Sequence, residues 1–449
     1  MQKTENVRYG MHAWLLKNAR VIDPENGIDE VRDIGVGEGL IVPPESLRSA
    51  HTVDLSGYVV APGFIDLHVH LRDLGQTHKE DIASGTRAAA AGGFTAVVAM
   101  PNTTPAMDTP ELLHALQERC REHALVRVLL TAALTLGRKG QELTDAAALK
   151  AAGAVALTDD GACIQNAALM REAMGRAQQA GLPVIDHCEE SSLADGGAVN
   201  LGPVARKLGV RGIPALAEEL MVARDLLLAG ELNVPVHIQH VSSARSVALL
   251  RWGRALGLPV TAEVTPHHLC LTEDACIEHG ANAKMNPPLR TESDRAALRA
   301  ALRDGIIDCI ATDHAPHTAA EKELPLEAAP FGVIGLEAAV PVCLTELVHK
   351  GVLTLRQCVE RFSSGPRRVL GLPGGTLSPG SPADITVLDL NHVFQLDTAE
   401  FLSRARNCPF QGWQCRGRAA GTMVGGQWVF SHIPGIEGRA QQEKRQHLR

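Results

Sequence analysis

The sequence predicts an α/β protein: a TIM (β/α)8 barrel with a small β-sandwich domain built from the N- and C-terminal segments. Two observations carry this reading. Between residues 64 and 312, eight short apolar runs alternate with Ala-, Leu- and Arg-rich stretches of helical period. On either side of that region, strand-like runs broken by turn residues replace the helical pattern. Eight β/α units over such a length fit a closed barrel. A doubly wound open sheet is the competing architecture, but no Gly-rich phosphate loop follows any of the runs.

In chain order, residues 1–10 are polar and unpatterned, so a loose leader is expected, with Met11 as an alternative start. The runs AWLLKNARVID, DIGVGEGLIV and HTVDLSGYVV then read as strands. Barrel strands are predicted at 64–70, 94–100, 126–133, 153–158, 183–188, 234–241, 258–264 and 306–312. Helices are predicted between them, among others at 78–91, 110–123, 167–180, 214–229 and 244–256. After a helix at 355–362, short strands return in SPADITVLDL and GRAAGTMVGGQWVFS. The expected division is a discontinuous sandwich from 12–61 and 366–432, a barrel over 62–365, and mobile termini at 1–11 and 436–449.

A chain of 449 residues exceeds the ~250–300 that one core usually serves, which agrees with two units. With aromatic residues at 3%, the core must be aliphatic. A formal net charge of −8 argues against a nucleic-acid or membrane-surface role. Ten scattered cysteines without a C-x-x-C pair read as reduced thiols of a cytoplasmic protein. No run has the flanks of a signal peptide or the length of a bilayer span.

The chemistry begins at FIDLHVHLR. Alternation on a strand predicts Phe64, Asp66, His68, His70 and Arg72 facing the barrel interior, with Ile65, Leu67, Val69 and Leu71 facing the helices. Two imidazoles at a strand's C-terminal end suit a divalent metal at the rim where barrel sites are built. Later strand ends add Asp159 and Asp160, His187, His240, and Asp313 with His314 and His317. Four histidines and two carboxylates can bind a pair of divalent ions. Spacing alone does not separate Asp159 from Asp160. His237 is out of phase with His240 and is expected to face the helices. One of His267 and His268 is expected to lie just behind the site.

GFIDLHVHLR, MPNTTP, DDG, HCEE, HVSS, NPPLR, ATDHAPH and APFGVIGLE stand in an order and spacing that resemble bacterial type I dihydroorotases of the amidohydrolase superfamily. The resemblance runs from about residue 18 to 429. It implies metal ligands at His68, His70, Asp160, His187, His240 and Asp313, holding one or two Zn2+ or other divalent ions. It implies substrate contacts from Arg72, Asn102, Asn286, His317 and the backbone of Phe331 and Gly332. The implied reaction is the reversible closure of N-carbamoyl-L-aspartate to L-dihydroorotate, with Asp313 as general acid and base. Asp160 stands where hydantoinases and allantoinases carry a carboxylated lysine, which favours dihydroorotase over those relatives. An inactive scaffold for aspartate transcarbamoylase is the other alternative, but none of the six ligands is missing. The resemblance further implies a homodimer and association with aspartate transcarbamoylase. Where the family often reads R-D-P-G, this chain reads Arg72-Asp73-Leu74-Gly75, an expected effect on loop rigidity. Residues 318–330, rich in Glu and Ala, are either a lid or a solvated loop.

Overall fold

Eight parallel strands pair in chain order around the barrel: Phe64–Val69, Phe94–Ala99, Arg127–Ala132, Ala156–Leu157, Val184–Asp186, Val236–Ile238, Val260–Val264 and Cys309–Ile310. Each lies within one of the eight predicted runs. The structure is a computed structural model and describes residues 13–441. The expected leader, the alternative start at Met11 and the end of the C-terminal tail lie outside the described residues.

The barrel closes through side chain as well as backbone. Asp66 accepts from the Thr312 amide (3.0 Å) and from its hydroxyl (2.5 Å), and the His70 amide donates to the His314 carbonyl (2.9 Å). These bonds join the first strand to the end of the eighth. The predicted helices are present and locally encoded. Thr109 caps Pro110–His123, with Pro110 at the first helical position. Asn166 caps Ala167–Ala180, which ends on left-handed Gly181.

The first strand departs from simple alternation. Ile65 and Leu67, expected outside, pack in the interior with Ala96, Val98, Ile185 and Ala311 from other strands. Phe64, expected inside, stacks on Phe362 outside, with ring centroids 5.3 Å apart. The pairing register explains this: from Asp66 to Val69 the first strand advances three residues while its neighbour advances two, from Val97 to Ala99. The extra residue is a bulge that reverses the phase. Apolar side chains therefore fill the lower barrel, and His68 and His70 still turn inward at the rim.

The terminal segments form one connected eight-stranded sheet, mostly antiparallel, in which Ile385–Gln395 pairs with Val59–Pro62 from the other end of the chain. It curls over a core of its own that includes Leu16, Val36, Ile385 and Trp428. Strands far apart in the sheet thereby meet: Trp14 lies edge-on to Trp428 at 6.2 Å. Residues 436–441, expected to be part of a mobile tail, instead pack on the last strand. Ala440 is fully buried there, and Gln441 Oε1 accepts from the Ser431 amide (3.1 Å).

Candidate active site

The strand ends deliver the six ligand-type residues to one buried place. His70 Nε2 lies 2.9 Å from Asp313 Oδ1, and His68 Nε2 lies 3.4 Å from the same oxygen. Across from them, His187 Nδ1 and His240 Nε2 are 2.9 Å apart. Asp160 stands between the two sets, its carboxylate 3.3 and 3.7 Å from His68 and His70 and 3.9 Å from both His187 and His240. Asp159, which spacing could not separate from it, points elsewhere: it accepts from the amides of Leu134 and Thr135.

Burial opposes ionisation of Asp160, yet His68, His70 and His187 hold its carboxyl well below the usual range. Burial likewise opposes ionisation of Asp313, and His68 and His70 outweigh it. Ionised carboxylates among imidazoles form a donor set for zinc-class ions. His68 Nε2 is buried without a hydrogen-bond partner, as a nitrogen kept for a metal would be. Two overlapping triads have ligand atoms within 4.8 Å of one another: His68, Asp160, His240 and His68, His70, Asp313. The residues present therefore fit a divalent metal centre.

The expectation for His237 is overturned. Its neighbours Val236 and Ile238 pack outward, so His237 points into the barrel. There its Nε2 lies 3.2 Å from Glu263 Oε2, while Glu263 Oε1 lies 2.9 Å from His68 Nδ1. His240 reaches the rim one residue out of step because its own φ is +28°. Glu263 is the residue that sequence reasoning missed. Burial would raise its pKa, but bonds to His237 and His68 bring it down to about 2. A carboxylate on Nδ1–H fixes the tautomer that leaves Nε2 free for a metal. The signal was present: Glu263 shares the inward face of its strand with Thr261, two residues before.

Asn102, expected to contact substrate, is placed between two ligand residues. Its Oδ1 lies 2.8 Å from His70 Nδ1 and its Nδ2 donates to Asp160 Oδ2 (3.2 Å). Of the pair His267 and His268, the second bonds Thr265 and the Pro287 carbonyl, and the first has a buried Nε2 without partner.

A cationic pocket adjoins the centre. The first strand ends at Val69, so alternation does not carry Arg72, which stands just before a turn and has φ +58°. Its Nε nevertheless donates to the Pro316 carbonyl (3.2 Å), and its Nη2 sits 3.3 Å from His317 Nε2. Lys79 Nζ can only donate, so at 3.3 Å it makes His317 Nδ1 the acceptor. The Nε2–H then donates to the Phe331 carbonyl at 2.8 Å and offers nothing to Arg72. Burial, with the charges of Arg72 and Lys79, pushes His317 down to about 3, so it is neutral. Burial also lowers Arg72, to about 10, which leaves it charged at neutral pH. A guanidinium edge faces an N–H it cannot bond, and an anion is its natural complement.

Gly332 has φ +128°, and a Cβ there would fall 2.7 Å from Ala315 Cβ, so only glycine fits. Its amide donates to the Lys284 carbonyl (2.9 Å). Asn286 donates to Glu189 (2.8 Å) and has a buried, unpartnered Oδ1. Residues 318–330 are not a free loop. The buried ammonium of Lys284 donates to the carbonyls of Leu326, Glu327 and Ala329, and that of Lys322 donates to those of Pro330 and Gly332.

Comparison with known proteins decides between the related chemistries. A family model described as dihydro-orotase-like matches residues 57–246. The dihydroorotase of Geobacillus kaustophilus (strain HTA426) is 50% identical over 387 residues, 86% of this chain and 90% of that protein. That of Pelotomaculum thermopropionicum is 48% identical over 419 residues, 93% and 98% of the two chains. This chain belongs to the dihydroorotase family. Its reaction is the interconversion of N-carbamoyl-L-aspartate and L-dihydroorotate in pyrimidine biosynthesis, a hydrolysis of a cyclic amide bond in one direction. Among solved structures, the L-hydantoinase of Arthrobacter aurescens shares the fold, with a TM-score of 0.83, 27% identity, and 93% and 96% of the two chains covered. The D-hydantoinase of Bacillus sp. AR9, at 23% identity and a TM-score of 0.83, covers 94% and 96%. Dihydroorotase and hydantoinase are thus two activities on one barrel, and the dihydroorotase sequences are much nearer to this one.

Proposed function

We propose that this dihydroorotase works through a zinc centre of one or two ions held by His68, His70, Asp160, His187, His240 and Asp313. The observation that carries the reading is Asp160, an ionised carboxylate set between two pairs of imidazoles. Bound divalent ions polarise a carbonyl and bring the ionisation of an attacking water toward neutral pH. Asp313 Oδ1, turned toward His68 and His70, takes the proton from the attacking water and passes it to the leaving ring nitrogen. In the closing direction the same carboxyl begins protonated. Glu263 and Asn102 keep His68 and His70 turned toward the ions.

Arg72 takes the substrate carboxylate as a planar fork. His317 and Phe331 stand against it and define that end of the pocket. Asn102, Asn286 and the Gly332 backbone complete the substrate contacts in this reading. In this reading residues 62–365 form the catalytic unit, and the described residues 13–61 with 366–432 form the smaller sheet domain. A homodimer is part of the proposal; Leu216, Leu220 and Leu227 on one helix, with Trp252 on the next, are exposed apolar groups available to it. Association with aspartate transcarbamoylase is part of it too. So is a cytoplasmic location: the ten cysteines are free thiols, and among the described residues no helix is long and apolar enough to cross a membrane.

The experiment is reconstitution of the apo-enzyme with zinc, with and without bicarbonate. An aspartate needs no carbon dioxide to become a ligand, so metal alone is expected to restore full activity on N-carbamoyl-L-aspartate. A strong bicarbonate requirement would mean that the bridging group is a carboxylated lysine and not Asp160.

A further inference from the structure

A second group of metal-type side chains is buried behind the fifth barrel strand. Alternation puts it there: His187 turns into the barrel, so Asp186 and Cys188 on either side of it turn out toward the helices. They meet Asp225 of the helix Leu216–Leu232, with one ligand atom of each within 4.8 Å of the others. Cys163, on the loop that follows Asp160, adjoins the group through Asp186. Its Sγ lies 3.4 Å from Asp186 Oδ2. Cys188 Sγ lies 3.6 Å from that same oxygen and 3.4 Å from Asp225 Oδ2. All four side chains are buried, and Asp186 Oδ1 has no hydrogen-bond partner although its residue is only 1% exposed. An oxygen left so is costly unless something else occupies it.

We propose that Cys163, Asp186, Cys188 and Asp225 form a further metal site, for a soft divalent ion of the zinc class. Asp186, Cys188 and Asp225 already stand at a spacing that suits one ion, and Cys163 approaches them beside Asp186. Zinc–sulfur and zinc–oxygen bonds of about 2.3 and 2.0 Å put neighbouring tetrahedral ligands about 3.5 Å apart, and the three thiol–carboxylate separations fall at 3.4 to 3.6 Å. Thiols select this class over magnesium or calcium. Binding forms two metal–sulfur bonds and releases the two thiol protons to solvent. Two thiolates and two carboxylates exceed the charge of the ion, and Arg224 offsets part of the excess. Its Nε donates to Asp225 Oδ1 (2.7 Å), and its Nη2 lies 3.4 Å from Asp186 Oδ2. The bound ion ties the loop carrying Asp160 and the strand end carrying His187 to one helix, bracing two ligands of the catalytic centre from behind.

The test uses the full chain produced in cobalt-supplemented medium, so that the ion is present while the protein folds. It is compared with the Cys163→Ser/Cys188→Ser double variant by elemental analysis and near-ultraviolet absorption. The catalytic ligands are only imidazole and carboxylate, and a thiolate-to-cobalt charge-transfer band that disappears in the double variant reports on the new site and not on Cys309 beside His237 and Glu263, whether or not the catalytic assignment is right. The expected result is that band in the parent protein and its loss in the double variant, together with one equivalent of metal per chain. Each single variant, Cys163→Ser or Cys188→Ser, is expected to weaken the band, which gives a second route should the double variant fold poorly. A parent protein without the band, or a band and metal count unchanged by the substitutions, overturns the proposal.

Discussion

Asp313→Asn is expected to lower kcat by at least about 10²–10⁴-fold, with a much smaller rise in KM, because a proton shuttle acts mainly in the transition state. The substitution is mild for the backbone. Asp313 has φ +48°, a conformation that asparagine accepts as readily as aspartate. The amide keeps the size of the carboxylate and loses only its capacity to hold the proton and its charge. Steady-state kinetics in both directions, with metal content measured on the same sample, separate the two losses. A metal-loaded variant with nearly parental kcat would remove Asp313 from the proton path.

Arg72→Met is expected to lower kcat/KM on dihydroorotate by roughly 10²-fold or more while bound metal stays in place. The carboxylate is what distinguishes dihydroorotate from plain dihydrouracil. A guanidinium can meet it with two parallel charge-assisted bonds of about 1.5–3 kcal/mol each, and each 1.4 kcal/mol is about tenfold. Any weak hydrolysis of dihydrouracil should change far less, since that substrate has no group for the arginine. Lysine should rescue in part only, supplying charge without the fork. Equal losses on both substrates would show that Arg72 supports the metal centre or the fold instead.

The barrel was legible because its apolar runs are long enough to declare themselves and are separated by periodic helices. The residues gathered at the rim were legible because each follows such a run. What local pattern could not give was direction. The bulge between Asp66 and Val69 reverses the facing of Ile65 and Leu67 without leaving a mark on composition. The positive φ of His240 breaks the phase that assigned His237 to the helices. Glu263 stayed hidden because its role exists only across strands, where it meets His68 two strands away around the barrel's closure and His237 on the neighbouring strand. Arg72 reached the expected neighbourhood past the end of the strand, with a positive φ of its own, and not by strand alternation. The packing of residues 436–441 was invisible because polar segments can be held by a single buried alanine and one amide.

The most direct measurement compares kcat/KM of the unmodified enzyme on L-dihydroorotate with that on hydantoin and dihydrouracil, neutral rings of similar size. A metal centre beside a charged Arg72 predicts a preference for dihydroorotate of about 10²-fold or more, the contribution of two charge-assisted bonds to its carboxylate. Equal turnover of the three, or preference for a neutral ring, would contradict the account.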